Sequence, residues 1–171
     1  MDVKEFTSAD NVQKHENYCE QFNRLKRALA SEFYLEAIFI EYTIIEDRTE
    51  SILRHAGRWD AYLKKLRRGN PNKEPTLNSK INDIASQASS GDKLLKKYFG
   101  DDLLSLVLQW KEKRNKLIHA LLKQALTTEE LSEIAQTGER LTKEIRTRAT
   151  NFSRAVERRN KTTKENQNEQ H

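Results

Sequence analysis

Lys111-Glu-Lys-Arg114-Asn115-Lys116-Leu-Ile-His119-Ala-Leu-Leu122 sits inside a helical pattern that the apolar spacing extends from about Asp101 to Leu126. Leu103, Val107, Trp110, Leu117, Leu121 and Ala125 recur at helical spacing, with Leu104, Ile118 and Leu122 at the edge, the stripe by which an amphipathic helix covers a core. Arg114 falls in the middle of that stripe, where a cation is costly unless a carboxylate or a partner surface receives it. A helix turns by about 100° per residue, so Asn115 and His119 lie one turn apart on one face, while Arg114 projects about 140° from His119. The three groups converge only if the guanidinium arm swings round or a second helix or chain closes the site.

The hexapeptide Arg114-Asn115-Lys-Leu-Ile-His119 resembles the R-x-x-x-x-H signature of HEPN domains. These are small all-α modules, many of them metal-independent ribonucleases of toxin, phage-defence and type VI CRISPR systems, and a polar residue after the arginine, here Asn115, is a habit of the family. The resemblance covers about Ala30 to Ala149. It implies a helical bundle, motifs paired across a homodimer, an RNA substrate, a 2′,3′-cyclic phosphate product, and neither metal nor cofactor. A toxin or defence role, with a cognate antitoxin or regulatory protein as partner, is part of the same implication.

The residue types fit that chemistry. RNA carries its own nucleophile, the 2′-hydroxyl, so cutting a strand needs a group that moves protons and a cation that holds the phosphate. Histidine titrates near neutrality and does the first; arginine stays charged and matches phosphate oxygens with its fork. On this reading His119 is the general acid or base, Arg114 grips the scissile phosphate, and Asn115 orients one of them. Some members of the family resemble inert scaffolds, antitoxin partners or nucleotide-binding helpers, so the alternative is a catalytically inert helical module that binds RNA, a nucleotide or a protein. A bundle with a purely structural role is a third possibility, in which changing His119 would alter neither cleavage nor RNA affinity.

Composition agrees with elongated helices. Of 171 residues 36% are apolar and 33% charged, against roughly 45–50% and about 25% in average globular chains, so surface is large relative to core. Two prolines and five glycines leave few turns for a sheet, and the expectation is an all-α, up-and-down bundle of four to six helices in a single domain over residues 1–159, the first eight or so frayed. The polar stretch 160–171 reads as a disordered tail. One cysteine, Cys19, cannot make an intrachain disulfide, and the N-terminus lacks the apolar run of a signal peptide. A cytoplasmic protein without a membrane span is expected. The net charge of +5 is compatible with a polyanionic partner.

Around the motif, residues 9–30 carry Tyr18, Phe22, Leu25 and Leu29 as a thin stripe, and residues 31–57 form the most apolar segment, the expected central helix. Its stripe is Leu35, Ile38, Phe39, Tyr42, Ile45, Thr49, Ile52 and Leu53, with Glu46 at the margin as the natural partner of Arg114, on the same chain or across a dimer interface. Ile38, Phe39, Ile40, Ile44 and Ile45 spread apolar surface over more than one face, which suits burial on two sides, one of them a second protomer. Beyond Gly57, the bases Arg58, Lys64, Lys65, Arg67 and Arg68 surround Trp59 and Tyr62. That arrangement fits an amphipathic turn with solvated lysines, or a patch that contacts RNA, to which Lys111 and Lys116 of the motif helix would add. A loop spans Gly69 to Pro75, a modest helix Thr76 to Ser90, and a short turn Lys93 to Phe99. The last helix starts from the capping-box spacing Thr127 to Glu130 and runs to about Arg158.

Overall fold

The computed structural model describes residues 11–121 and 123–168, and all regular structure among them is helical. The helices are α1 (Asn11–Ala30), α2 (Tyr34–His55), α3 (Trp59–Leu66), α4 (Leu77–Ser89), α5 (Lys93–Phe99), α6 (Leu103–Ala120) and α7 (Thr128–Asn168). This is one more than the upper expectation of six, because the turn at 93–99 closes as a helix. Asp92 makes that possible: its carboxylate accepts from the amides of Leu94 and Leu95, both at 3.0 Å, which satisfies two donors of the first turn.

The four long helices alternate in direction. Lys14 pairs with Asp47, Tyr18 with the Ile44 carbonyl and Arg24 with Glu36, so α1 runs antiparallel to α2. Trp110 Nε1 donates to the Ile134 carbonyl and Lys113 meets Glu133, which sets α6 antiparallel to α7. Between α1 and α2 the turn passes through Glu32 at φ 59°, and Gly57 at φ 67° ends α2 as its position in the sequence implies.

Helix α7 is the other half of the core. Ala135, Leu141, Thr142, Ile145, Ala149, Phe152 and Val156 are buried at three- and four-residue steps against Ile38, Ile45, Ile52 and their neighbours. Gly138 permits the closest approach. A Cβ at this position would stand 2.7 Å from Glu41 Cδ and 2.8 Å from Trp110 Cζ2, so only hydrogen fits between them. Glu41, fully buried, has neither carboxyl oxygen in a hydrogen bond, and the hydroxyl of buried Thr142 is likewise unpartnered.

Three expectations are corrected here. Helix α6 ends at Ala120 instead of continuing to Leu126, because the capping box claims the chain: Thr127 N–H donates to Glu130 Oε2 at 2.9 Å, and Glu130 N–H to Thr127 Oγ1 at 3.2 Å. Helix α7 continues past Arg158 to Asn168, so 160–168 is helical. Last, Leu35, Phe39 and Leu121, assigned to buried stripes, are 39%, 65% and 37% exposed. Residues 1–8, expected to be frayed, Leu122, and residues 169–171 of the expected tail lie outside the described residues. No helix among those described is long and apolar enough to cross a membrane.

Candidate RNA-cleavage site

Helix α6 meets α2 at the motif through Arg114 and Tyr42. Arg114 is half-buried, its guanidinium lying 4.6 Å from the centre of the Tyr42 ring, and its Nη1 donates to Asn115 Oδ1 at 3.2 Å. Its Nε is buried without a hydrogen-bond partner. The acceptor that the sequence demanded is therefore an aromatic face, an interaction of about 0.5–2 kcal/mol depending on desolvation, together with the neighbouring amide. Tyr42 feels the position it occupies: burial first, then the charge of Glu46, push its hydroxyl above the ordinary range, while Arg114 pulls the other way.

Within one chain Glu46 does not hold Arg114. It is engaged by Lys80, which is only 4% exposed and sits 3.3 Å from Glu46 Oε1 and 3.9 Å from Glu50 Oε2. A buried ammonium without carboxylates would be strongly destabilising, so the more deeply buried cation takes both acids and the half-buried one is left to Tyr42. Sequence spacing could not rank the two cations by depth.

His119 lies in the last turn of α6, exposed, on the same face as Asn115 and one turn beyond it. Among the described residues its ring makes no hydrogen bond. The structure thus joins Arg114 and Asn115 by a hydrogen bond and leaves His119 bonded to neither. Ile118 and Leu121, 37% exposed each, continue the row begun by Arg114, and Leu35 and Phe39 continue the α2 row that ends at Tyr42. Leu35, Phe39, Ile118 and Leu121 are thus exposed apolar side chains on the two helices that meet where Arg114 covers Tyr42.

The expected RNA-contacting residues divide. Lys111 is committed within the fold, its Nζ donating to Asn78 Oδ1 at 2.9 Å and to Glu112 Oε1 at 2.8 Å. Lys116 is exposed. On α3, Trp59 is half-buried beneath the Arg54 guanidinium, 4.5 Å from the ring centre, and against Tyr62, so its face is already covered. Arg58 is half-buried with its Nε lacking a partner. Lys64, Lys65, Arg67 and Arg68 are exposed; Lys65 approaches Asp83 at 3.8 Å and Arg67 donates to the Lys73 carbonyl at 3.4 Å. This basic end lies beside Arg54, twelve residues or about 18 Å along α2 from Tyr42, and does not join the motif within one chain.

Among the described residues no three His, Cys, Asp or Glu side chains are placed to share a metal ion. Compared with family models, curated proteins and solved structures, the chain matches none.

Proposed function

We propose that this chain is a metal-independent endoribonuclease of the HEPN type, acting as a homodimer in a toxin or phage-defence setting. One observation carries the reading. Arg114 is a half-buried cation held by a ring and an amide with, among the described residues, no carboxylate in ion-pair contact, which leaves its charge for an anion such as a phosphodiester. His119 supplies the proton-transfer group. Because its ring and the Arg114 fork do not meet in one chain, the dimer is what assembles the site, with Phe39, Leu35, Ile118 and Leu121 as the apolar surface that brings two motifs face to face. Closed two-fold pairs are the commonest homo-oligomers.

Purified protein should cut mixed single-stranded RNA in excess EDTA and leave 2′,3′-cyclic phosphate ends. A His119→Ala preparation made in parallel identifies contamination: equal cleavage by both, or none by the wild type across several RNAs, defeats the proposal. In the second case the inert binding module becomes the better account, favoured by the unanchored His119 ring. Sedimentation at micromolar concentration should show twice the 20.0 kDa chain mass, and Phe39→Glu should shift it to the monomer. A wild-type protein that sediments only as a monomer would remove the composite site.

A further inference from the structure

On the face of the bundle away from Arg114, helices α1, α2 and α7 enclose a cleft of about 800 Å³. Each helix contributes one row to it. Lys14, Tyr18, Phe22 and Lys26 follow at four-residue steps on α1, Arg48, Ser51 and His55 at three and four on α2, and Arg146, Thr150 and Arg154 at four on α7. By helical geometry Ser51 and His55 point about 180° and 220° round α2 from Tyr42. This cleft and the motif therefore open on different sides of the same helix.

Its lining holds five lysines and arginines and no carboxylate. Asp47, just outside, is shared by Lys14 at 3.1 Å and by Arg48, which bonds it through Nε at 3.0 Å. Among the described residues no carboxylate pairs with Lys26, Arg146 or Arg154. Two of the cations are held in place by rings: Arg48 lies 4.2 Å from the centre of Tyr18 and Arg146 4.4 Å from that of Phe22. Such stacking fixes a guanidinium plane; the Nε and Nη2 edge of Arg48 is taken by Asp47, whereas among the described residues no hydrogen bond or ion pair takes the N–H edge of Arg146. His55 adds a directed group. Its Nδ1 is 2.8 Å from the Ser51 carbonyl, which can only accept, so Nδ1 carries the proton and Nε2 is the nitrogen left for a ligand.

We propose that this cleft binds the sugar–phosphate backbone of single-stranded RNA, as an anchoring site separate from the motif. A chain of phosphates fits better than one isolated anion, because Lys14 and Lys26 lie about 18 Å apart along α1 and Arg146 and Arg154 about 12 Å apart along α7. Concavity argues against a flat lipid surface. The choice of RNA over another polyanion rests on the ribonuclease reading; binding itself does not, and the two can fail separately.

The test is fluorescence anisotropy with a labelled 2′-O-methyl oligouridine, which lacks the attacking hydroxyl and so reports binding without cleavage. Arg146→Glu/Arg154→Glu should weaken binding at least about tenfold at low salt. Losing two phosphate contacts should also flatten the slope of log affinity against log salt by about 1.4, at about 0.7 per contact for a single strand. Lys96→Glu/Lys97→Glu, an equal charge change on exposed α5 positions, should leave binding within about threefold. Should the double change compromise folding through the Phe22 contact, Arg154→Glu alone, at an exposed position without a ring beneath it, should still weaken binding and flatten the slope by about half as much. Equal weakening by the α5 control, or none from the cleft variants, overturns the proposal. So does displacement of the oligonucleotide by equimolar AMP, which would assign the cleft to a free nucleotide. Cleft-dependent binding without cleavage by the wild type would retire the ribonuclease reading and leave this site standing.

Discussion

His119→Ala should lower the rate of RNA cleavage by about 10²–10⁴-fold, the usual loss when a general acid or base is removed, with the unfolding midpoint unchanged. The second half of that expectation comes from the structure. His119 is exposed in the final turn of α6 and makes no hydrogen bond among the described residues, so its removal leaves no cavity and no orphaned partner. Arg114→Ala would be a less informative experiment, since it uncovers Tyr42 and strips Asn115 of its donor, mixing loss of phosphate binding with loss of packing. Arg114→Lys keeps the charge but not the planar fork, and should fall between. If His119→Ala cuts RNA at the wild-type rate from a preparation free of other nucleases, the catalytic role of this residue is excluded.

The second large effect concerns stability. Burial, reinforced by the charge of Glu139, pushes the carboxyl of Glu41 up to about 9, while in the unfolded chain a glutamate titrates near 4.3. Between these values the folded protein keeps a proton that the unfolded chain releases. The stabilising contribution is therefore complete below about pH 4.3 and is lost progressively as pH rises toward 9, with a cost of about 4 kcal/mol by neutrality at about 1.4 kcal/mol per unit. Glu41→Gln keeps the shape and removes the proton. Urea unfolding should show the wild type losing stability from pH 5.5 to 8 and the variant losing much less, so that the variant is the more stable protein at pH 8. Parallel pH profiles for the two would mean that the carboxyl is solvated or paired.

What could be read from the sequence was what periodicity encodes. Steps of three and four located the long helices, Gly57 ended α2, and the Thr127–Glu130 spacing marked the start of α7. The same logic ran α6 on to Leu126, because Leu121 and Ala125 continue its stripe and nothing in a periodic pattern shows that a neighbouring cap will take the chain first. Depth was harder to read than direction. Phe39 fits a stripe as well as Ile38 does, yet it is 65% exposed and Ile38 not at all. Glu41 reads as an ordinary polar position until Gly138 and Trp110 close over it.

For the site, spacing placed Asn115 and His119 on one face and left Arg114 in need of an acceptor. It named an acid where the fold supplies a ring. Lys80, an unremarkable lysine in a modest helix, is the reason, and only its burial reveals that it has the stronger claim on Glu46. The basic cleft escaped notice because its rows come from three helices far apart in the chain. Each row alone resembles a solvated face.

The contact between Gly138 and Glu41 also bears on how this sequence can drift. The two residues compete for one volume, so a methyl at 138 is tolerable only after the side chain at 41 has been shortened and the Trp110 ring has shifted. Taken in the opposite order, the same pair of substitutions passes through an overpacked core at a cost of about 1–3 kcal/mol, a substantial part of the roughly 5–15 kcal/mol that holds a domain together. Two genotypes with identical endpoints are thus unequal in accessibility, and the history of one position is written into what the other is allowed to become.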